Sequence, residues 1–537
     1  MARSKNFWLL AALAIVVALI FIGVSMFGGE EEQEQQLAGG VLRLDEVPVG
    51  ELDPGKASDY ADSILMFNVY DTLVLPKQGS PGHAPHLASA WEADGSSFTF
   101  TLRDDVRFHS GNRLTAEDVV FSFERMRALE QGLSYLFAVV ESAEAIDDST
   151  VRFNLTESYA PFVASLVRLP IVDSALVREN TVDGDQGEAF LSANAAGSGA
   201  YRVVSHNPQE ETVLEKNPDY FLGVPAAAPS MVRLRYGLEA ATVRTLIAQG
   251  EHDIASQWLP PEVAGALARD GAQLFTEGGT GAFYMKLNTT KPPLDDVNCR
   301  LALAAAFDYE AALRLAAVTD EVSQGSAPTG AIPAGMLGAN PPGNVLRRDM
   351  DAARGHLEQC RYTPSDHTLE ISWIAEVPLE ERFALLMQAN FSELGFGGEI
   401  RKLPWALFAE QVSSAENTPH ISQLFVNAVT GDPDTLLYGM YHSSRAGTWQ
   451  SPEHLSDAEV DRLLDEGRTA DGDAARAAAY SALNARLLEI APTIYAYDNL
   501  SVFAASSRVK APPLQSADAA FGLDQIGFSF RLMEVAE

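Results

Sequence analysis

The chain has 537 residues and a formal net charge of -35 at pH 7, from 38 lysine and arginine residues against 73 aspartate and glutamate residues. Such a polyanion repels nucleic acid and anionic lipid headgroups, which excludes both as expected partners. The only cysteines are Cys299 and Cys360, too few for a disulfide scaffold or a cysteine zinc cluster. One disulfide and two buried free thiols both remain open.

Residues 7–27 form an uncharged segment, with Arg3 and Lys5 before it and glutamates at 30–32 and 34 after it. About 20 apolar helical residues span the hydrocarbon core of a membrane. Basic residues before the segment place residues 1–6 in the cytoplasm. The pattern predicts a transmembrane anchor or uncleaved signal, then a linker at 28–40 and a body outside the cytoplasmic membrane. A cleaved signal sequence is the alternative.

Strand and helix patterns mix beyond the linker without a fixed repeat, which predicts an α/β chain. Apolar and polar residues alternate at 98–102, 151–155 and 369–373, the period of half-buried strands. Thr115 can cap a helix that runs from 116 to about 129, with acidic residues favourably placed in its first turn.

Further helices are predicted in the C-terminal half of the chain. Apolar residues at helical spacing over 383–394 form one stripe, and Gly395 suits the left-handed stop that follows. Ser456 and Glu459 are spaced as a capping box. The alanine-rich stretch 474–491 predicts a long helix.

No sequence signature of catalysis is present. The chain lacks a Gly-x-Ser-x-Gly elbow, a His-Glu-x-x-His motif, a phosphate loop and a Cys-x-x-Cys pair. His83 and His86 lie among prolines and are too few for a metal site, and Asp432-Pro433-Asp434 is typical of a turn. We therefore expect no catalytic residue, no metal and no cofactor, with a hydrolase of dispersed active site as the weakest alternative.

A series of motifs in the N-terminal half identifies a family. Tyr70-Asp71-Thr72-Leu73-Val74 is followed by blocks at 85–92, 98–103, 106–111 and 114–123. In this order they closely resemble the family 5 extracellular solute-binding proteins, the dipeptide, oligopeptide and nickel receptors of ABC importers. Gly197-Ser198-Gly199-Ala200-Tyr201 is similar to the Gly-Thr-Gly-Pro-Tyr of that family. The resemblance covers roughly residues 41–530.

The resemblance implies a two-lobed periplasmic-binding-protein fold that closes on a ligand through a hinge. Lobe I would comprise 41–83, 198–294 and 492–537, with an inserted subdomain at 84–197, and lobe II would comprise 295–491. The protein would be a monomer at the periplasmic face of the inner membrane, and its partner would be an ABC permease.

The sequence departs from the pattern of the peptide receptors at the expected ligand site. Peptide receptors of the family hold the α-ammonium of the peptide with the aspartate of a Trp-x-x-Asp motif. Aligned on Asp432-Pro433-Asp434, the tryptophan position is Val426 and the aspartate position is Val429. An apolar, β-branched floor at these positions favours a less charged ligand, or one whose amine is blocked.

Segments that face the cleft in relatives supply the candidate ligand-binding residues. For each aromatic candidate, ordinary core packing is the alternative, and for the asparagine at 288 and the aspartate at 432, turn or strand-edge roles are. The candidates are Tyr70, Trp258, Phe283, Tyr284, Asn288, Trp405, Phe408, Asn427 and Asp432.

The resulting hypothesis is a solute receptor, not an enzyme, that delivers a peptide-like or other small solute to an ABC permease. A nickel chelate, an oligosaccharide and an apolar metabolite are the alternative cargoes. A tethered periplasmic sensor or envelope interaction protein, which would reuse the fold without transport, is the alternative function.

Overall fold

The computed structural model describes residues 39–47, 52–57, 60–77, 82–375, 377, 379–510 and 529–536. The anchor predicted at 7–27 lies outside these residues. Within the described ranges, no helix combines the length and the apolar character needed to cross a membrane.

Strands and helices are distributed along the whole described chain. The strands are β1 (Val41–Glu46), β2 (Val74–Pro76), β3 (His83–Pro85), β4 (Ala88–Asp94), β5 (Ser97–Leu102), β6 (Val140–Asp147), β7 (Thr150–Leu155), β8 (Tyr201–Asn207), β9 (Glu211–Lys216), β10 (Met231–Tyr236), β11 (Gln273–Leu287), β12 (Gly325–Ser326), β13 (Thr368–Ile374), β14 (Gly397–Leu403), β15 (Ile421–Asn427), β16 (Thr493–Ala505), β17 (Val509–Lys510) and β18 (Glu534–Val535). The α-helices are α1 (Tyr60–Val69), α2 (Ala116–Leu129), α3 (Phe162–Ser165), α4 (Ser174–Glu179), α5 (Glu188–Leu191), α6 (Ala240–Gln249), α7 (Pro261–Arg269), α8 (Val297–Ala306), α9 (Tyr309–Leu315), α10 (Met350–Leu357), α11 (Leu379–Ser392), α12 (Trp405–Gln411), α13 (Pro433–Tyr441), α14 (Ala458–Thr469) and α15 (Asp473–Ile490). Short 3₁₀ turns lie at Ser134–Phe137, Leu166–Arg168, Pro364–Asp366, Ser443–Arg445 and Phe530–Leu532.

Lobe I is built on a four-stranded sheet in the order β1-β10-β9-β8, in which β1 runs parallel to β10 and the other pairs are antiparallel. Its core includes Ile64 and Leu65 of α1, together with Phe530 from the C-terminal segment. A second four-stranded sheet, β4-β5-β7-β6, lies in the range 84–197 predicted as the inserted subdomain, and it packs on α2 around Phe123 and Phe153.

Lobe II is built on a six-stranded sheet in the order β12-β16-β11-β15-β13-β14. Both faces of this sheet are covered. The helices α8 and α11 pack on one face, and α12 to α15 pack on the other.

A continuous two-stranded ribbon of β11 and β16 joins the lobes. Its upper part, where Phe275 pairs with Phe503, packs in the lobe I core. Its lower part, where Tyr284 pairs with Tyr495, packs in lobe II. Between the two parts the pairing register shifts between Gly278 and Ala282. The ribbon therefore passes from lobe I to lobe II at the point where the strand pairing of β11 and β16 is irregular.

The helix and strand predictions are mostly confirmed. The alternating segments form β5, β7 and β13, and α2 begins after Thr115, whose backbone N–H and hydroxyl both donate to Asp118 Oδ2, at 2.8 and 2.9 Å. The capping box at Ser456 is wrong by one residue. Asp457 caps α14 by accepting from the N–H groups of Glu459 and Val460, because its carboxylate also reaches an arginine of α15.

The two alternatives for the cysteines are resolved in favour of a disulfide. Cys299 lies in α8 and Cys360 follows α10, and their sulfurs are bonded across a Cα–Cα distance of 5.1 Å. The bond ties together two helices that also pack on each other.

Gly197 and Gly199 allow their segment to pack directly against the backbone at the end of α1. A Cβ atom at Gly197 would lie 2.0 Å from the carbonyl oxygen of Val69, and one at Gly199 would lie 2.4 Å from that of Asn68. Any side chain here would push the segment away from the end of α1, so both positions require glycine for space.

Candidate functional site

Two cavities lie beside each other, one lined by lobe I and its predicted inserted subdomain and one between the lobes. The larger, of about 520 Å³, follows one face of α1 and is lined by Ser63, Met66 and Tyr70 of lobe I. The smaller, of about 390 Å³, lies between the lobes. Pro76 and Lys77 line both cavities, so the two spaces share one wall.

The larger cavity combines an apolar wall with basic side chains. Lys77, Arg168 and Arg531 are the lysine and arginine residues in its lining. The apolar contributors include Met66, Phe67, Leu75, Leu133, Val167, Leu222 and Leu532. Among the described residues, Asp71 is the only acidic residue that lines this cavity.

The hydrogen bonds of Asp71 are made within the protein. Its carboxylate accepts from the hydroxyls of Ser198 and Tyr220, at 2.7 and 2.9 Å, and lies 2.8 Å from Nε2 of His86. Burial opposes ionisation, but the hydrogen bond and charge of His86 and the two hydroxyls hold the pKa of Asp71 below its usual value. Because Ser198 donates to the carboxylate and not to the imidazole, the cluster lacks the relay of a nucleophilic triad.

The smaller cavity is lined by charges of both signs from lobe II. Asp432 caps α13 by accepting from the N–H of Asp434, and both of its oxygens lie within 2.7 to 2.8 Å of Nη2 of Arg476. Asp473 also lines this space, and His83 and Trp91 face it from lobe I.

Asp434 joins the lobes beside that cavity. The hydroxyl of Tyr159, in the inserted subdomain, donates to its Oδ2 at 2.8 Å, and Nε of Arg468 lies 3.0 Å from its Oδ1. Burial raises the pKa of Asp434 to about 6; Arg468 opposes the shift and Asp432 adds to it. The backbone N–H of Ala160 also donates to the Arg468 carbonyl at 2.8 Å.

Arg168 makes a second connection between the lobes. Its Nε donates to the carbonyl oxygen of Val429 at 2.5 Å, and its Nη1 donates to Oγ of Ser63 at 2.8 Å. The Val429 side chain packs against the core of the inserted subdomain, whereas Val426 is buried in the lobe II core. Of the two valines, only Val429 therefore contacts lobe I.

Two of the candidate ligand-binding residues line the cavities. Tyr70 lines the larger one, and its hydroxyl donates to the Leu52 carbonyl and accepts from the N–H of Ala196, both at 3.3 Å. Asp432 lines the smaller one.

The other candidates lie elsewhere. Phe283 and Tyr284 are adjacent on β11 and so point to opposite faces of the lobe II sheet, each into a core, and Phe408 is also buried there. The Asn288 amide bonds to the carbonyls of Ala415 and Thr418 and to Thr290.

The remaining three candidates do not line either cavity. Asn427 ends β15 and pairs with Gly281 in the ribbon region. Trp258 and Trp405 are 58% and 40% exposed, and Trp405 packs edge-on against Trp449 at 5.4 Å. Sequence reasoning missed Tyr159, Arg168 and Arg531, for which no local pattern provides a signal.

The comparisons with known proteins agree with this architecture. The profile of the bacterial extracellular solute-binding proteins, family 5 Middle, matches residues 83–448. The chain belongs to this family. It is 27% identical over 471 residues to the probable D,D-dipeptide-binding periplasmic protein of Escherichia coli, covering 86% of this chain and 88% of that one. It is 26% identical over 478 residues to heme-binding protein A of Haemophilus influenzae, covering 82% and 84%.

Solved structures share the fold of this family 5 protein. The periplasmic binding protein DppA of Helicobacter pylori, in complex with the peptide STSA, has a TM-score of 0.74 at 23% identity and covers 94% of this chain and 100% of its own. The substrate-binding protein CtaP of Listeria monocytogenes has a TM-score of 0.80 at 20% identity, covering 93% and 100%.

Family membership defines the class of activity. Family 5 proteins are the solute-binding components of ABC importers and work outside the cytoplasmic membrane, in the periplasm where there is one. The chain is therefore a transport receptor and not an enzyme.

Proposed function

We propose that this family 5 protein captures a peptide-like solute between its lobes and presents the closed complex to a membrane permease. The observation that carries the proposal is that two side chains of lobe I donate hydrogen bonds across the cleft beside the cavities, Arg168 to the Val429 carbonyl and Tyr159 to Asp434. A ligand that contacts both lobes stabilises the state in which these links form. The permease then distinguishes loaded from empty receptor by that state.

Peptide-like cargo is favoured by the relatives, and the amine of that cargo is not expected to be free. Relatives are described as binding a D,D-dipeptide, the peptide STSA and Met-Leu, and another as binding heme. At the position where a carboxylate would hold an α-ammonium, this chain has Val429, packed against lobe I. Asp432 is neutralised by Arg476. A peptide with a blocked or missing amine therefore fits better than a zwitterionic one.

Tyr70 and Asp432 are the proposed ligand contacts among the candidate residues, since both line a cavity. Asp432→Asn keeps an oxygen to cap α13 and removes the charge. Asp457→Asn is the matched control, because Asp457 also caps a helix and pairs with an arginine, Arg486, away from both cavities.

The test measures binding and closure on the same protein. The purified full chain is incubated with a mixture of free and N-acetylated dipeptides, bound solute is identified by native mass spectrometry, and closure is followed by small-angle scattering. We expect a bound peptide derivative, a smaller radius of gyration, and weaker binding in Asp432→Asn but not in Asp457→Asn. Failure of every peptide to bind would overturn the proposal, and equal losses in the two variants would remove Asp432 from the site.

We also propose that residues 7–27 remain in the membrane, so that a short linker holds the receptor near its permease and raises its effective concentration there. The intact mass of the protein extracted from carbonate-washed membranes tests this. A mass that lacks the first residues, or recovery in the wash, would favour the cleaved signal.

A further inference from the structure

The lining of the larger cavity has more basic than acidic side chains. Lys77, Arg168 and Arg531 line it, and the acidic side chain among its described residues, Asp71, is already bonded to three neighbours. The whole chain has 73 acidic and only 38 basic residues, so an excess of basic residues in one cavity wall is the reverse of the overall composition.

Two of these basic groups have no ion-pair partner in the described part of the chain. The Arg531 guanidinium lies over the ring of Tyr220, 5.8 Å from its centroid, and neither it nor the ammonium of Lys77 contacts a described carboxylate. Nearby basic residues differ, since Arg508 pairs with Asp253 at 3.2 Å and Lys510 with Glu534 at 3.2 Å.

The electrostatic consequence follows from the charge of the whole molecule. A receptor of net charge -35 repels anions at a distance, so an anionic ligand needs basic groups at the site itself. A partly buried guanidinium without a counter-ion is unfavourable, and a ligand carboxylate supplies that counter-ion through a charge-assisted hydrogen bond.

We propose that the larger cavity binds an organic acid with an apolar body, whose carboxylate contacts Arg531 and Lys77. The inference rests on the proposed function and narrows its ligand class. Met66, Leu133 and Leu222 would contact the body of the ligand, and the volume of about 520 Å³ suits a molecule the size of a small peptide. The receptor would thus recognise the acid end of its cargo, whereas amine recognition at Val429 is absent.

The decisive comparison is between acids and their neutral amides. The purified full chain is exposed to an equimolar mixture of N-acetylated apolar dipeptides, each present as the free acid and as the C-terminal amide, and native mass spectrometry measures the bound ratio. Loss of a charge-assisted contact costs about tenfold in affinity, so the acids should exceed their amides by at least about tenfold. The double variant Lys77→Gln/Arg531→Gln should bind acids and amides equally.

Lys510→Gln serves as the control, because Lys510 is an exposed lysine of the C-terminal region that does not line the cavity. It should keep the preference for acids. If the unmodified protein binds the amides as tightly as the acids, the anion site is overturned and the receptor function is left intact. A preference that survives in the double variant would also overturn it. Failure of the receptor proposal itself is distinguishable, because then no peptide of any end group would bind.

Discussion

The two cavities handle charge in opposite ways. Between the lobes, Asp432 pairs with Arg476 and Asp434 lies beside Arg468, so each carboxylate has its own arginine. In the larger cavity, the lining includes basic side chains, and the carboxylate of Asp71 is hydrogen-bonded to Ser198 and other neighbours within lobe I.

The difference separates two tasks that one cleft has to perform. Matched pairs leave little net charge for a ligand to neutralise, and one of the paired carboxylates, that of Asp434, also accepts from the Tyr159 hydroxyl across the cleft. Lys77 and Arg531, which have no ion-pair partner among the described residues, can instead attract a ligand of opposite charge. Closing and recognition of a ligand acid thus depend on different side chains, because Asp434 bonds to Tyr159 across the cleft whereas Lys77 and Arg531 line the larger cavity.

The largest effect is expected from breaking a matched pair. Arg476→Met leaves the Asp432 carboxylate, which is 10% exposed, without its arginine. Removing one partner of a buried pair costs about 3 kcal/mol, so the free energy of unfolding in urea should fall by about that amount. Adding Asp432→Asn should restore part of the loss. A change below about 0.5 kcal/mol would mean that the pair is not closely coupled.

The pH dependence of stability tests the charge of Asp434. Its pKa is raised from the model-peptide value of 3.8 to about 6, so the folded state favours the protonated carboxyl. The protonated Asp434 carboxyl therefore contributes its full stabilisation below pH 4, and this contribution is lost as the pH rises through 6. Between pH 4 and 7, the unfolding free energy of the unmodified protein should therefore fall by about 2 kcal/mol relative to Asp434→Asn. Parallel pH profiles for the two proteins would contradict the shift.

Tyr159→Phe removes one hydrogen bond across the cleft and little else. The hydroxyl of Tyr159 donates to Asp434 Oδ2, so its loss should weaken the closed state by about 1 kcal/mol and peptide affinity by about fivefold in calorimetry. Tyr201→Phe is the control, because its hydroxyl donates to the Pro229 carbonyl inside lobe I. If both variants lose affinity equally, the contact has no role in closing.

The smallest effect on stability is expected at Lys77. The side chain is exposed, so Lys77→Gln should change the unfolding free energy by less than about 0.5 kcal/mol. Its contribution to binding should appear in the association rate of an acidic peptide, and this contribution should fade as salt is added. If Lys77→Gln leaves the association rate unchanged at low ionic strength, only the two arginines of the larger cavity contribute to attraction of the ligand.

The sequence was most informative where structure is local. Alternation identified β5 and β13, and helical spacing identified α11, because these patterns depend on neighbours one to four residues apart. Even there, Ser456 and Asp457 are both good caps, and the choice depended on Arg486 in the next helix. Phe283 and Tyr284 could have been separated by sequence alone, since adjacent strand residues face opposite sides.

The site itself depends on distant parts of the chain. Tyr159 and Asp434 are 275 residues apart, and Arg168 and Val429 are 261 apart. No spacing rule connects such pairs, because they meet only through the approach of two lobes that fold around separate cores. The family motifs predicted the two-lobed architecture and could not predict which side chains bridge it.

The ribbon of β11 and β16 also has a consequence for the order of folding. Its strands are distant in sequence, and the intervening chain makes up most of lobe II. Bringing distant segments together is entropically costly unless the chain between them is already compact, so lobe II should fold before lobe I acquires its last strand. In pulsed hydrogen exchange, amides of 282–287 should gain protection before those of 273–276. If the chain is exported from its N-terminal side, β16 crosses the membrane after the rest of lobe II, so lobe I acquires that strand only once residues 493–505 have crossed.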